Sequence, residues 1–287
     1  IGSTALDAEV AGNYSTAIGM GALSTQSQSS DVDVYNTAVG YQAGGAVTTG
    51  TNNTIIGGLA GDALTTGQAN QFIGKNAGGG VVGGTSTQGN HNIGIGLDSF
   101  VNTTVLTTGS HNIAIGNSSR TTAVDSDYAT AIGYNVAGAA GYFTIGRDAT
   151  DIRAAHGNVT WATVSDERYK KDIADSTAGL SFINALQPRT FKYKTLGELP
   201  ETFNAYEADS TEVFKNSNTN HGFIAQEVKA AIDADSSIKD GFRLWDDRED
   251  GSQEVAEAAL IPVLTKAIQE LSAQVEALTA RIETLEG

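Results

Sequence analysis

A short polar and apolar pattern that ends in glycine recurs throughout the first half of the chain. It occupies residues 13–19, 36–40, 53–57, 70–74, 92–96, 112–116, 129–133 and 142–146, and the closing glycines lie 13 to 22 residues apart. Units of that size hold one or two brief strands with their turns, and a single unit cannot bury its own apolar face. The pattern therefore predicts an all-β repeat, a β-roll or β-solenoid, over residues 1–150. The longer stretches 24–35 and 78–89 are predicted to project from it as loops.

The end of the chain shows a helical pattern instead. Apolar residues recur at alternating intervals of three and four, at Ile261, Leu264, Ile268, Leu271, Val275, Leu278, Ile282 and Leu285. This spacing predicts a coiled coil of nearly four heptads within residues 259–287. β-branched residues at the a positions with leucine at the d positions favour two strands by this rule alone. A helix whose apolar stripe packs on its own domain is the alternative interpretation.

Residues 165–258, between these two patterns, carry mixed helix and strand signals. Residues 179–187 form a helical pattern closed by Pro188, residues 190–193 have the composition of a strand, and residues 221–228 lead into a short amphipathic helix. Pro262 is compatible with the first turn of the last helix. The sequence thus predicts an α+β domain here.

Composition also divides the chain near residue 150. Residues 1–150 hold 27 of the 34 glycines and none of the three prolines, with 9 acidic and 3 basic residues, whereas residues 151–287 hold 24 acidic and 14 basic residues. This shift predicts a domain boundary within residues 151–164. A chain of 287 residues is long enough for two domains.

Charge and cysteine content narrow the function classes. The net charge of −16 argues against a nucleic-acid partner, because phosphate binding needs clustered Lys and Arg. Cysteine is absent, which excludes disulfides and thiolate metal sites, and we expect neither a metal nor a cofactor. No apolar run approaches the ~18 residues of a membrane span, so we expect no membrane insertion. Because Ile1 already lies within a repeat, we expect the chain to be part of a longer protein.

The repeat segments resemble the head repeats of trimeric bacterial adhesins of the YadA type and the related repeats of phage tail fibres. The resemblance covers residues 1–146 and depends on eight segments in series. In those families three chains associate side by side. The resemblance therefore implies a homotrimer, in disagreement with the dimer that the a/d rule favours.

The second half resembles the intramolecular chaperone domain of phage tail spikes and fibres, the S74 peptidase family. Four motifs carry the resemblance: Ser-Asp-x-Arg-x-Lys at 165–170, the helix and proline at 180–188, Gly-Phe-Ile-Ala-Gln-Glu-Val at 222–228 and Leu-Ile-Pro-x-Leu at 260–264. Members of that family trimerise, help a β-structured stalk to fold and then cut themselves free at their first serine. Carried over, the cut bond is Val164–Ser165, with Ser165 as nucleophile and Lys170 as general base. Tyr169 replaces a more usual aliphatic residue, and we expect no effect from it.

The chemistry of a Ser/Lys pair sets a condition on the fold. A serine hydroxyl is a weak nucleophile until a base takes its proton, and lysine is a base only when neutral. Free lysine titrates near ~10.4, and lowering that value to ~7–8 requires burial or neighbouring positive charge. Arg168 and Lys171 are expected to supply such charge, whereas acidic neighbours oppose it. We therefore expect trimer assembly to bury Lys170 and so to gate cleavage, with Lys171 as the alternative base.

Several further polar residues invite other interpretations. His91 and His111 occupy equivalent repeat positions, which predicts stacking or a turn role rather than a metal site. His221 is expected to pack or to cap. Gln226 and Glu227 receive no role from the sequence.

Together these expectations describe part of a phage tail fibre or spike in which residues 151–164 link the repeat to the cleavage site. The fibre part is expected in the virion tail, contacting a receptor on the host surface, after assembly in the host cytoplasm. Its own repeat segment is the folding client and the cleavage substrate, and the chaperone part is released. A trimeric surface adhesin and a structural fibre that does not cleave are the alternatives.

Overall fold

The computed structural model describes residues 1–81, 89–101, 108–158, 160–236, 238 and 242–286. The chain divides into two compact units, Ile1–Tyr169 and Lys170–Gly287. The predicted loop at 78–89 lies largely within residues 82–88, outside the described residues. The contacts thus divide the chain at Tyr169, and the domain limits inferred from composition stay a prediction.

The first unit is a β-solenoid of about seven coils, as the repeat pattern predicts. Its strands are β1 (Gly12–Asn13), β2 (Thr16–Ile18), β3 (Val32–Asp33), β4 (Thr37–Val39), β5 (Thr54–Ile56), β6 (Gln71–Ile73), β7 (Ile93–Ile95), β8 (Ile113–Ile115), β9 (Arg120–Thr121), β10 (Thr130–Tyr134), β11 (Ala137–Gly138), β12 (Tyr142–Arg147), β13 (Thr150–Ala155) and β14 (Ala162–Thr163). Within the described residues, one sheet contains ten of them in the order β14-β13-β12-β10-β8-β7-β6-β5-β4-β2.

This sheet is parallel from β2 to β12, and β13 and β14 then fold back antiparallel. The stretch predicted as a linker, residues 151–164, therefore carries strands that extend the solenoid sheet. Likewise β3 lies in the predicted loop at 24–35 and pairs in parallel with β1. Two further strands of the coils, β9 and β11, also pair in parallel.

The repeated glycine has a steric cause. Gly40 has φ +139, and a Cβ placed on it would lie 2.5 Å from the carbonyl oxygen of Gly57, the equivalent glycine of the next coil. Side-chain-bearing residues rarely adopt that backbone conformation, and none could tolerate so close a neighbour. The closing glycine of each unit is thus required by the stacking of coils.

Buried asparagines form a hydrogen-bonded column along the solenoid interior. The Asn70 backbone N–H and Nδ2 donate to Asn53 Oδ1 at 3.0 and 3.1 Å, and Asn92 donates to Asn70 Oδ1 in the same way at 3.0 and 3.3 Å. The column begins at Asn36 and ends where the Ala129 N–H donates to Asn112 Oδ1. Each amide satisfies buried groups of the neighbouring coil, so the column fixes the register between coils.

A carboxylate stabilises the first turns of the solenoid. Glu9 Oε1 accepts hydrogen bonds from the backbone N–H groups of Ala11, Gly12 and Gln28 at 2.7–3.2 Å, and Oε2 accepts one from Gln26 Nε2 at 2.6 Å. Burial on its own would raise the pKa of Glu9, but these hydrogen bonds outweigh it and lower the pKa from 4.5 to about 2. The folded state therefore favours the ionised carboxylate.

The second unit is α+β. Its described helices are α1 (Leu180–Ala185), α2 (Ala225–Ala234) and α3 (Leu260–Glu286), and its strands form two antiparallel pairs, β15 (Arg189–Phe191) with β16 (Asn220–Gly222) and β17 (Trp245–Asp247) with β18 (Gln253–Val255). The core contains Phe182, Leu186, Val228, Ile232, Leu244, Leu260 and Val263. Glu270 of α3 accepts a hydrogen bond from the Leu180 N–H at 2.8 Å, which joins α3 to the start of α1.

Helix α3 has two apolar faces, and only one of them is covered. Leu260, Val263 and Ala267 are buried in the unit. All eight heptad positions, from Ile261 to Leu285, stay 42–83 % exposed. The heptad stripe therefore does not pack on its own domain. No helix within the described residues combines the length and apolar character that a membrane span requires.

The asparagine column generates a stability prediction. Replacing Asn70 by Ala removes the acceptor of the buried Asn92 N–H and a donor to Asn53, so the free energy of unfolding should fall by about 2–4 kcal/mol. Urea unfolding followed by circular dichroism measures the change. Lys75→Ala, an exposed substitution on the same coil, should fall within ~0.5 kcal/mol of wild type. Equal free energies of unfolding for the two variants would show that the asparagine column does not stabilise the fold.

The Glu9 carboxylate generates a pH prediction. Because its folded pKa lies below its unfolded value, its contribution is fully present above pH 4.5 and is lost as the pH falls toward about 2. Glu9→Gln should therefore melt at a lower temperature than wild type at pH 7, and the difference should shrink steadily below pH 4.5. Asp7→Asn, at an exposed carboxylate nearby, serves as the control and should show a smaller gap at pH 7. A Glu9→Gln gap that stays constant down to pH 3 contradicts the assignment.

Candidate functional site

The predicted scissile bond lies immediately after the last strand of the solenoid sheet. Strand β14 ends at Thr163, Val164 is 50 % exposed and Ser165 is exposed. A 3-10 turn, Glu167–Tyr169, begins two residues after Ser165. The residues on both sides of the predicted scissile bond are therefore accessible to solvent, and both belong to the first unit.

The first turn after Ser165 is held by a side-chain clasp, which we define as Asp166 and Arg168. Arg168 Nε donates to Asp166 Oδ1 at 2.9 Å and Nη2 donates to Oδ2 at 2.7 Å, while the Arg168 backbone N–H donates to Oδ1 at 2.8 Å. The Tyr169 N–H also donates to the Asp166 carbonyl at 3.1 Å. The side chains of Arg168 and Asp166 remain 87 % and 38 % exposed.

The clasp changes the expected charge balance of this segment. Hydrogen bonds from the Arg168 side chain, and then from its backbone N–H, lower the pKa of Asp166, and the same side-chain bond raises the pKa of Arg168. The sequence suggests Arg168 as a source of positive charge for a neighbouring lysine. In the structure that charge is paired with Asp166, whose bidentate geometry is the strongest form of such a pair.

Lys170 and Lys171, the two candidate bases, are both exposed in the single chain. Ser165 belongs to the first unit and Lys170 begins the second. The assigned roles of Val164, Ser165 and Lys170 stay predictions. A base that must lose its proton near neutral pH requires an environment that an exposed side chain in water does not provide.

Two downstream motifs meet in the second unit. Arg189 of β15 donates to both carboxylate oxygens of Glu227 on α2, at 3.0 Å from Nε and 2.8 Å from Nη2. The hydrogen bond from Arg189 lowers the pKa of Glu227 and keeps it ionised. Glu227, which the sequence leaves without a role, thus ties the first helix after the Gly-Phe-Ile-Ala motif to the strand after Pro188.

His221 lies beside this connection. It is an exposed residue of β16, opposite Thr190 of β15, and it lines a cavity of about 440 Å³ with Pro188, Arg189 and Phe223. Because its side chain is exposed, the packing or capping role expected for His221 stays a prediction.

The two repeat histidines stack, as their equivalent positions predict. The His91 and His111 rings have centroids 4.8 Å apart and planes within 4° of parallel, and Tyr128 continues the stack at 4.9 Å from His111. Across the described residues, no group of three or more His, Cys, Asp or Glu side chains is arranged to hold a metal ion. Both histidines are exposed, so the stacked pair lies on the surface of the coils.

The described residues thus form a β-solenoid that is followed along the chain by a small α+β unit. Residues 165–236 match the model of a peptidase family, peptidase S74, described as chaperone of endosialidase. The match begins at Ser165 and ends just after α2, and it covers about a quarter of the chain. Among curated proteins and solved structures, none matches the chain.

Two contacts within the second unit could not be predicted from the sequence. The Glu227–Arg189 and Glu270–Leu180 bonds join residues 38 and 90 positions apart, and no local pattern encodes them. The Asp166–Arg168 clasp is different, because an Asp followed by a 3-10 turn and an Arg two residues on is a readable local signal. The charges of Asp166 and Arg168 are expected from the sequence to act separately on the lysine, whereas the structure pairs them.

Proposed function

We propose that this chain is part of a phage tail fibre or spike whose residues 165–287 act as an intramolecular chaperone and then cut the Val164–Ser165 bond. The single observation that carries the proposal is the family match that begins at Ser165, directly after the end of the β-solenoid sheet. The solenoid is the folding client and later the part that stays in the virion tail, where it contacts the host surface. The chaperone part leaves after the cut.

The proposed chemistry is one intramolecular hydrolysis. The Ser165 Oγ attacks the Val164 carbonyl carbon while Lys170 takes the hydroxyl proton. The Val164–Ser165 C–N bond breaks, the Ser165 nitrogen receives that proton, and an ester links Val164 to the Ser165 oxygen. Water then attacks the ester carbonyl, releasing a Val164 carboxylate and restoring the Ser165 hydroxyl.

The solenoid carries an apolar stripe that supports association of like chains. The strand register aligns one aliphatic residue per coil on the outer face of the sheet, at Ile18, Val39, Ile56, Ile73, Ile95, Ile115, Ile132 and Ile145. Ile18, Ile56, Ile73, Ile95 and Ile145 are 37–43 % exposed. Val39, Ile115 and Ile132 are half-buried, and an aligned row of exposed and half-buried aliphatic side chains is typical of an interface with a partner.

The heptad stripe of α3 is a second surface of the same kind. Its eight positions are exposed while the neighbouring face of the helix is buried, so the helix holds its own domain with one face and offers the other to further helices. We propose a homotrimer through both stripes. The residue types at the a and d positions favour a dimer instead. A measurement of the oligomer mass distinguishes the dimer from the trimer.

Assembly would provide the burial of Lys170 that the single chain lacks. Lys170 is exposed in one chain, whereas its proposed role requires removal from water. Burial of Lys170 by neighbouring subunits makes the cut conditional on assembly. Cleavage thereby becomes a checkpoint on folding.

The solenoid keeps a covered end after the cut. Strands β13 and β14 belong to the part before Ser165, and Trp161 packs edge-on against Phe143 with ring centroids 5.8 Å apart. The antiparallel fold-back pairs with the last parallel strand, β12, which would otherwise present an open edge. Removal of the chaperone therefore leaves the parallel sheet paired.

Substitution of the proposed pair tests the activity. Wild-type protein should separate into two fragments on a denaturing gel, and Ser165→Ala and Lys170→Ala should each leave one full-length band. Intact mass spectrometry should place the wild-type break between Val164 and Ser165.

Lys171→Ala is the matched control, an exposed lysine next to the proposed base, and it should still split. Fragments from Ser165→Ala or Lys170→Ala refute the role given to that residue. A wild-type chain that stays whole favours the non-cleaving structural fibre.

A charge placed on the heptad stripe tests the link between assembly and cleavage. Leu271→Asp with Leu278→Asp puts two carboxylates at d positions, where burial of unpaired charge opposes association. This variant should be monomeric by light scattering, at the 29.6 kDa chain mass, and should remain uncut. Ala273→Asp with Ala280→Asp adds the same charge on the opposite, outward face of a coiled coil and should still trimerise and cut. A monomeric d-position variant that cuts itself at the wild-type rate contradicts the coupling.

A further inference from the structure

The Asp166–Arg168 clasp lies in the sequence between Ser165 and Lys170, the two residues proposed to carry out self-cleavage. It starts one residue after the Ser165 hydroxyl and ends two residues before Lys170. Three hydrogen bonds of 2.7–2.9 Å converge on the Asp166 carboxylate, one from the backbone and two from the guanidinium. An exposed ion pair contributes little to stability, so a role in folding energy does not explain it.

One consequence of the clasp is geometric. The carboxylate accepts the Arg168 N–H while the Asp166 carbonyl accepts the Tyr169 N–H, which fixes the residues after Ser165 in a single turn. Attack on the preceding carbonyl requires the Ser165 hydroxyl to reach a defined direction. Fixing the next residue reduces the freedom that the reaction must otherwise overcome.

The other consequence is electrostatic. An unpaired carboxylate four residues before Lys170 would favour the protonated ammonium and so weaken the base. The guanidinium of Arg168 neutralises the negative charge of Asp166 because the two groups are paired. The other charged side chains around Lys170 in this segment are Glu167, Lys171 and Asp172, which are exposed and sum to −1 when all are ionised, so an unpaired Asp166 would add to a field that already opposes the neutral base.

We propose that Arg168 is a positioning residue for self-cleavage, which neutralises Asp166 and holds the turn after Ser165, so that the lysine base works near neutral pH. The inference rests on the proposed Ser/Lys reaction and adds a residue to it. In the proposed reaction, Arg168 contacts neither the scissile bond nor the proton that passes from Ser165 to Lys170. It acts through Asp166.

The test is a pH profile of self-cleavage. Each full-length variant is made by cell-free translation, translation is stopped, and aliquots are moved to buffers from pH 6 to pH 10 while the cut fraction is followed on gels. Arg168→Gln leaves the carboxylate unpaired, and the pH of half-maximal rate should rise by about 0.5–1 unit. The rate at pH 7 should fall by about 3- to 10-fold in consequence.

Two further variants separate charge from structure. Asp166→Asn combined with Arg168→Gln removes both charges while keeping a side-chain acceptor for the turn, and the midpoint should return to the wild-type value. Arg168→Lys keeps the charge but not the bidentate geometry, so it should keep the wild-type midpoint with a lower maximal rate. Trimer mass and melting temperature should stay unchanged in all three.

The results distinguish a failure of the role given to Arg168 from a failure of the proposed Ser165/Lys170 reaction. An unshifted midpoint in Arg168→Gln, or a double variant that keeps the shift of the single one, overturns the role of Arg168 while wild-type protein still cuts. A wild-type chain that never cuts, or a Ser165→Ala chain that does, overturns the proposed reaction itself.

Discussion

The close stacking of successive coils is the constraint on which the first unit depends. Where the chain passes from strand to turn, the backbones approach so nearly that a Cβ on Gly40 would meet the Gly57 carbonyl at 2.5 Å. The same approach brings Asn53, Asn70 and Asn92 within hydrogen-bonding distance of one another. Register, burial of the amides and alignment of the outer aliphatic stripe all follow from that one spacing. A coil that slipped by a residue would lose all three.

Folding of a β-solenoid that starts from one end is unfavourable in its first steps. Each coil gains stability only from its neighbours, and the first coils formed have few contacts to offset their loss of conformational entropy. A separately folded unit that brings several chains together would raise the local concentration of nascent coils. An α+β unit with an uncovered heptad stripe follows the last solenoid strands along the chain, and the chaperone role proposed for that unit would meet this need.

Sequence reasoning succeeds here where the physical cause is local and repeated. The glycine spacing predicts the solenoid because steric exclusion acts at every coil, and the 3-4 spacing predicts α3 because helical geometry fixes which side chains share a face. Helix α1 is shorter than its pattern, since Leu186 adopts an extended backbone ahead of Pro188. Strands β13 and β14 lack the repeat signature, and they pair antiparallel instead of stacking in parallel coil on coil, which is the arrangement that brings the closing glycines together.

For the candidate site, the sequence predicts which residues react but not their surroundings. Ser165 and Lys170 emerge from a motif, and the match that begins at residue 165 supports the same starting point. The pairing of Arg168 with Asp166 and of Arg189 with Glu227 depends on three-dimensional proximity and on competition among charges. The proposed burial of the base would come from neighbouring chains, which no pattern in a single chain encodes.

The central claim is that self-cleavage follows association, and the dependence of the cleavage half-time on chain concentration tests it most directly. Freshly translated full-length protein would be diluted over a hundred-fold range and the cut fraction followed with time, with oligomer mass measured in parallel. The account predicts a half-time that lengthens on dilution and becomes constant only where every chain is already in a trimer. A half-time that stays the same at concentrations where the chain is monomeric would contradict it.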